Sequence, residues 1–357
     1  MTLRAGAGRA EVTLSPAGLP LNGFGTVHDP LQVRALVLAD DQTRAVLVLA
    51  DFTSLPTELI SETKLIASQP PYARAGAAGL GRCLVGVNRD LETTAGWWLG
   101  ANDDGVRDPE VPLLVLEGLD GARIAMVATV AVQSSVTSQS VGSDGHRAVS
   151  GDLAGAAARY LEERDAGCVA LVLTGAAGDQ APICTVVRRV QTPDGGWSTR
   201  DAHEAGFLLV ELLGERLGAA LWSAATTARQ VLGVPLTVRR HGVALDAQVI
   251  PGDIGAIRPT RHYQFVPDGT VDAHWVTLQL GEAGWSAFSR TVGRHRHCAA
   301  RRLAPSTHAD RDAGGRRRQV HAGGIGLRPD HLRSDELPVA RGRPNGSRAR
   351  SWTVGGS

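Results

Sequence analysis

Lysine is almost missing from this chain: 36 of its 37 basic residues are arginine. Aromatic residues make up only 4%, so a core has to be built from Val, Leu, Ala and Ile. No apolar run reaches the ~18 residues of a membrane-spanning helix, so none is expected. The start, Met1-Thr2-Leu3-Arg4-Ala5-Gly6, lacks the apolar stretch of a signal peptide, and a cytoplasmic location is the expectation. No two of the cysteines (Cys83, Cys168, Cys184, Cys298) stand as Cys-x-x-Cys, and a chain this long needs no disulfide framework. Cys83 and Cys168 open strand-like runs and read as small buried hydrophobes.

What is present is an ordinary amount of apolar residue, 43%, in 357 residues. That is enough for one large domain or two. Charge is divided unevenly. Residues 281–357 hold 15 Arg and 6 acidic residues, a net of +9, whereas residues 1–280 hold 22 basic and 30 acidic residues, a net of −8. An acidic body argues against a nucleic-acid partner.

The pattern along 1–280 alternates strands and helices. Residues 33–38 and 45–50 read as a hairpin around Asp40-Asp41-Gln42-Thr43, with the second strand ending at Asp51. Pro56 to Ser68 reads as a helix with Leu59, Ile60, Leu65 and Ile66 near helical spacing. Residues 83–87 read as a buried strand running into the polar stretch 88–94. Residues 112–117 and 123–132 form a second hairpin, with its turn at Asp120-Gly121. A helix starts near Ser150-Gly151-Asp152, where either Ser150 or Asp152 suits the N-cap. Strand 168–173 leads into Gly175-Ala176-Ala177-Gly178-Asp179. A long helix over 203–225 and strands over 236–249 and 274–280 follow. The sum is an α/β fold with a mixed β-sheet, two hairpins and no fixed-period repeat.

Past residue 280 this periodicity stops. Arg, Gly, Pro, His and Ala dominate, as in Arg316-Arg317-Arg318, with too little apolar surface to offset ordering entropy. The chain therefore divides into a 1–280 body and a 281–357 Arg-rich tail. Two explanations stand for the tail: a natural disordered segment, or a shifted reading frame in a GC-rich gene. A neighbouring frame over 283–291 can encode an apolar strand followed by a turn.

Four strand ends carry polar residues suited to chemistry: Asp51, Asn88-Arg89-Asp90, Gln133-Ser134-Ser135 and Gly175 to Asp179. Their neighbours carry a family resemblance. Ala5-Gly6-Ala7-Gly8-Arg9-Ala10-Glu11-Val12-Thr13, Gly23-Phe24-Gly25, Leu49-Ala50-Asp51, Arg107-Asp108-Pro109-Glu110-Val111, Val149-Ser150-Gly151-Asp152 and Thr174-Gly175-Ala176-Ala177-Gly178-Asp179-Gln180-Ala181-Pro182 together resemble the N-terminal domain of neutral/alkaline non-lysosomal ceramidases. The resemblance runs through most of 1–280.

That family implies a zinc amidohydrolase, in which a metal-bound water attacks the amide of a lipid-like (sphingolipid) substrate. Zinc needs about four N, O or S ligands with one position open to water. The family's His-x-His falls on Asn88 and Asp90, its next His on Gln133, and its loop serine on Ala177. Asn88 and Asp90 are left as weak metal candidates, a set better suited to Mg²⁺ or Ca²⁺ than to Zn²⁺.

The resulting expectation is a hydrolase of a linear amide (N-acyl) bond on a small-molecule or lipid-like substrate, with a site degenerate relative to the zinc ligands. Asp51, Asp90, Gln133, Ser135 and Asp179 are the catalytic candidates; Ser134, Gly175 and Gly178 are the substrate-binding candidates. Blander roles stay open: Asp51 or Asp152 as a helix cap, Asp90 as a solvated loop residue, Gly175 to Asp179 as a tight turn or an anion cradle. Two other outcomes also stay open: a non-catalytic homologue that binds a ligand or partner, and a defective frameshifted product. His28, His146 and the His295-Arg296-His297-Cys298 run are secondary candidates.

Overall fold

A computed structural model describes residues 3–15, 18–52, 73, 76–94, 96–194, 197–230, 235–249, 264–281 and 283–288. The helix expected over Pro56 to Ser68 and the His295 to Cys298 run lie outside them. Strands β1 (Arg4–Val12), β3 (Leu31–Ala39) and β4 (Arg44–Ala50) form an antiparallel sheet. The β3–β4 turn is held by Asp40, whose Oδ1 accepts from the backbone N–H groups of Gln42 (2.9 Å) and Thr43 (2.6 Å). This is the local bond that makes Asp a turn residue.

The central sheet has the order β11 (Val169–Thr174), β9 (Arg123–Val130), β8 (Glu110–Glu117), β5 (Ala77–Arg82), β15 (Arg229–Gln230). Pairs β5–β8 and β8–β9 are antiparallel, whereas β9–β11 is parallel. The parallel step requires a crossover, and helix α1 (Asp152–Arg164) lies on it. Helix α2 (Phe207–Thr226) follows a short 3-10 turn at His203–Gly206. Both hairpins expected from the sequence are in place, as are the helices expected from about residue 150 and over 203–225, the second opening with the 3-10 turn. The architecture is a mixed-sheet α/β fold with few helices.

Alternation along the central strands sends side chains to two separate cores. Val111, Leu113, Val115, Met126, Ala128, Val130, Ala170 and Val172 pack under α1 and α2 through Leu153, Leu161, Leu217 and Leu221. Leu114, Leu116, Val127, Val169 and Leu171 point the other way, against Ala5, Leu36 and Leu38. Both faces of the central sheet are covered, so β8, β9 and β11 read as nearly continuous apolar runs. Two glycines allow the close layering. A Cβ on Gly79 would collide with the Ala224 carbonyl of α2, and one on Gly214 with Ala156 of α1. Cys83 and Cys168 are buried as expected, and Cys184 is exposed.

A smaller sheet, β12 (Gln180–Pro182), β6 (Gly86–Thr93), β7 (Gly96–Asn102), flanks this body. Here the structure departs from the sequence reading. The strand expected at 83–87 instead starts at Gly86 and carries the polar residues 88–93 with it. Strand β12 pairs with Gly86 to Asn88 on one side and β7 with Asn88 to Thr93 on the other, and pairing outweighs side-chain polarity. Further pairs are β2 (Phe24–Val27) with β10 (Arg147–Val149), and β13 (Val187–Gln191) with β14 (Trp197–Asp201).

Strands β16 (Leu236–Val249), β17 (Val266–Leu280) and β18 (Ala283–Phe288) form the last sheet. Strand β18 lies beyond residue 280 and pairs with β17 from Leu280↔Ala283 to Trp275↔Phe288. Ala283 is buried in the second core. Among the described residues, no helix is long and apolar enough to cross a membrane.

Candidate functional site

Three chain-remote segments meet where β6 pairs with β12. The register places Gln180 opposite Asn88, which draws the turn before β12 onto β6. The Arg89 N–H donates to the Asp179 carbonyl at 2.8 Å, and the Gln133 N–H to the Gln180 carbonyl at 3.3 Å. Gln133, just past β9, thereby joins the same edge. A bulge between Asn88 and Asp90 shifts the β6–β7 register at this point. Bulges re-aim side chains in this way.

Asn88 is buried, at 5% exposure. Its Nδ2 donates to the Val106 carbonyl and to Asp179 Oδ2, both at 3.0 Å, and its Oδ1 accepts from the Asp90 N–H at 2.9 Å. Arg89 is half-buried. Its Nε donates to the Gly178 carbonyl at 3.1 Å and its Nη1 to Gln133 Oε1 at 3.2 Å. The Asp90 carbonyl accepts from Asn102 Nδ2 at 3.1 Å. Gln180 Nε2 donates to the Val106 carbonyl at 2.9 Å. The structure therefore gathers Asn88, Asp90, Gln133, Gly178 and Asp179, and adds Arg89. Arg89 stood in the polar stretch of the sequence but was not singled out. Only its charge could have flagged it, because its side-chain partners lie 44 and 89 residues away.

Other candidates serve different neighbours. The Ser134 hydroxyl accepts from the Ala154 N–H at 2.9 Å and donates to the Gly151 carbonyl at 3.4 Å, closing the first turn of α1. Ser135 is half-buried, and its carbonyl accepts from the Ser138 N–H at 3.2 Å. Gly175 donates its N–H to the Val130 carbonyl at 2.7 Å, and a Cβ there would press on Thr129. Asp152 has φ +50°. Its carboxylate accepts from the N–H groups of Val136, Thr137 and Leu153 and from the Thr137 hydroxyl. It ties the 133–137 loop to α1; the residue N-terminal to α1 is Gly151, with no side-chain cap. His28 stacks on Phe207, with ring centroids 3.6 Å apart.

Asp51 belongs to a buried ionic group. Its Oδ2 accepts from the Gln32 N–H at 3.0 Å and faces Arg34 Nη1 at 3.4 Å. Arg34 Nε in turn donates to Glu162 Oε1 at 2.9 Å, and Arg9 pairs with Glu162 from the outer side. Burial pushes the Asp51 carboxyl above the ordinary 3.8, with Arg34 and the Gln32 N–H pulling the other way. Arg34 is shared with Glu162 and meets Asp51 off-centre, so burial prevails.

A zinc ion does not suit the strand-edge cluster. Among the described residues, no three His, Cys, Asp or Glu side chains gather to hold a metal. Asn88 Oδ1 and Gln133 Oε1 already accept hydrogen bonds, and amide oxygens are poor zinc ligands. The guanidinium on Gln133 also repels a second cation, so Mg²⁺ and Ca²⁺ fit no better.

The fold is similar to solved ceramidase structures. The neutral ceramidase from Pseudomonas aeruginosa matches with a TM-score of 0.56 and 15% identity, over 80% of this chain and 62% of that chain. A ceramidase complexed with C2 matches with a TM-score of 0.55 and 15% identity, over 80% of this chain and 63% of that one. This chain thus spans less than two thirds of the length of the ceramidases it resembles. No family model and no curated protein matches the sequence.

Proposed function

We propose that this chain, which carries a ceramidase-like fold, acts on a linear N-acyl amide through the cluster of Asn88, Arg89, Gln133 and Asp179. The observation that supports this reading is the convergence of three segments (88–90, 133 and 178–180) on one strand edge, in a hydrogen-bonded polar group. Asp179 has only Oδ2 engaged by Asn88. Its Oδ1 can take a proton from a water that attacks the amide carbonyl. The C–N bond then breaks and the amine leaves with a proton. Because the residues present do not fit zinc, no step is assigned to a metal.

The test is incubation of the full chain with a ceramide, an N-acyl ethanolamine and an N-acyl amino acid, with mass-spectrometric detection of released acid. Release that a chelator does not affect and that Asp179→Asn abolishes is the expected result. A second reading, binding without turnover, is favoured by the occupied amides of Asn88 and Gln133. Calorimetric binding of an N-acyl amide with no acid released would select it. Neither binding nor release would sink both.

A further inference from the structure

We infer that Arg89 makes this strand edge a recognition site for a carboxylate. The assignment rests on the reading of the 88–90, 133 and 178–180 cluster as the ligand site. An arginine has five N–H donors. Arg89 spends one on the Gly178 carbonyl and one on Gln133 Oε1, both neutral acceptors. No carboxylate lies in ion-pair range of its guanidinium among the described residues. Arg9, Arg34, Arg82, Arg123 and Arg159 each meet an acidic side chain, whereas Arg89, like Arg4 and Arg107, donates only to neutral oxygens, and Arg89 alone of these three does so inside the cluster.

A half-buried guanidinium held in place by neutral partners, with three donors left over, is organised for an anion that comes from outside. The adjoining turn adds to this. Residues 176–179 donate no backbone N–H to any other described residue. Those N–H groups remain open to a ligand or to water. The Arg89 Nε bond to Gly178 holds the turn against the guanidinium.

The neighbouring charges select the kind of anion. Asp179 is a member of the cluster. A nearby carboxylate disfavours a doubly charged phosphate more than a singly charged anion. A singly charged, planar carboxylate matches the guanidinium fork. That chemistry has two sources: a fatty acid, which is the acid half of a cleaved N-acyl amide, or the free acid end of an N-acyl amino acid.

Titration calorimetry of the full chain with octanoate, N-octanoylglycine, octanamide and inorganic phosphate separates them. Octanoate or N-octanoylglycine should bind at least about tenfold more tightly than octanamide, as for one charge-assisted bond. The tighter of the two acids names the source. Arg89→Gln should lose about tenfold for the acid and little for octanamide, and Arg89→Lys should lose less. Binding of both octanoate and N-octanoylglycine no tighter than that of octanamide overturns the assignment even if Arg89→Gln fails to fold, as does phosphate binding more tightly than either acid. Acid affinity indifferent to Arg89→Gln does the same. Arg89-dependent acid binding without amide turnover overturns the proposed reaction alone. Turnover with acid binding indifferent to Arg89 overturns this inference alone.

Discussion

Arg34 Nε donates to Glu162 Oε1 at 2.9 Å, with the two side chains 1% and 2% exposed. The pair joins β3 to α1 across 128 residues of sequence. Removing Glu162 leaves Arg34 buried with only the off-centre Asp51 carboxylate, a loss of up to about 3–5 kcal/mol. Glu162→Ala should therefore lower the unfolding free energy by that order in urea denaturation. A loss within the scatter of surface substitutions would mean that water reaches Arg34.

Asp51 sets a pH dependence. Its folded carboxyl sits above 3.8, chiefly through burial. The folded state then binds this proton more tightly than the unfolded chain does. The contribution to stability is full below the unfolded value and is lost as pH rises through the folded one. In denaturation at a series of pH values from 3 upward, Asp51→Asn should gain on the wild type as pH climbs past 3.8. A difference that stays flat with pH would contradict the burial argument.

The cysteines should differ in reactivity. Burial, helped by nearby Asp165, pushes the Cys168 thiol up to about 12, and burial also raises Cys83. Cys184 is exposed. Only the thiolate alkylates. Native protein treated with iodoacetamide near pH 8 should carry the label on Cys184 and not on Cys83 or Cys168 by peptide mass spectrometry. Label on Cys168 before unfolding would be the contrary result.

Metal binding is testable without any substrate. A ligand at 100 times its dissociation constant stabilises a fold by about 2.7 kcal/mol. Titrating Zn²⁺, Mg²⁺ or Ca²⁺ into the metal-free chain should give no saturable rise in Tm, because Asn88 and Gln133 already spend their oxygens. A saturable one-to-one rise that Asn88→Ala removes would show that the cluster rearranges to take a cation.

Much of the fold was legible because apolar runs and turn residues are local signals. The β3–β4 and β8–β9 hairpins and both described helices follow from them. Strand β5 was not legible. Its Ala-Ala-Gly-Leu-Gly-Arg sequence has poor strand propensity; it is a strand through its pairing with β8 and β15, and Gly79 lets α2 lie close to its backbone. The polar strand ends were readable as candidates, and Asn88, Gln133 and Asp179 do meet. Their partners were not readable. Arg89 finds Gln133 through the β6–β12 register, and Asp51 finds Arg34 instead of a role at that edge. Pairings between residues this far apart leave no periodic trace in a single sequence.

The Glu162 carboxylate has one more partner: its Oε1 accepts from the Ala170 N–H at 3.1 Å. Among the described residues, strand β11 ends its sheet, and outward N–H groups on an end strand invite pairing with another molecule. Glu162 occupies one of them. The far end is β15, only two residues long. The ion pair that fastens β3 to α1 thus also guards against intermolecular strand addition, and chains that lose Glu162 should aggregate as well as soften.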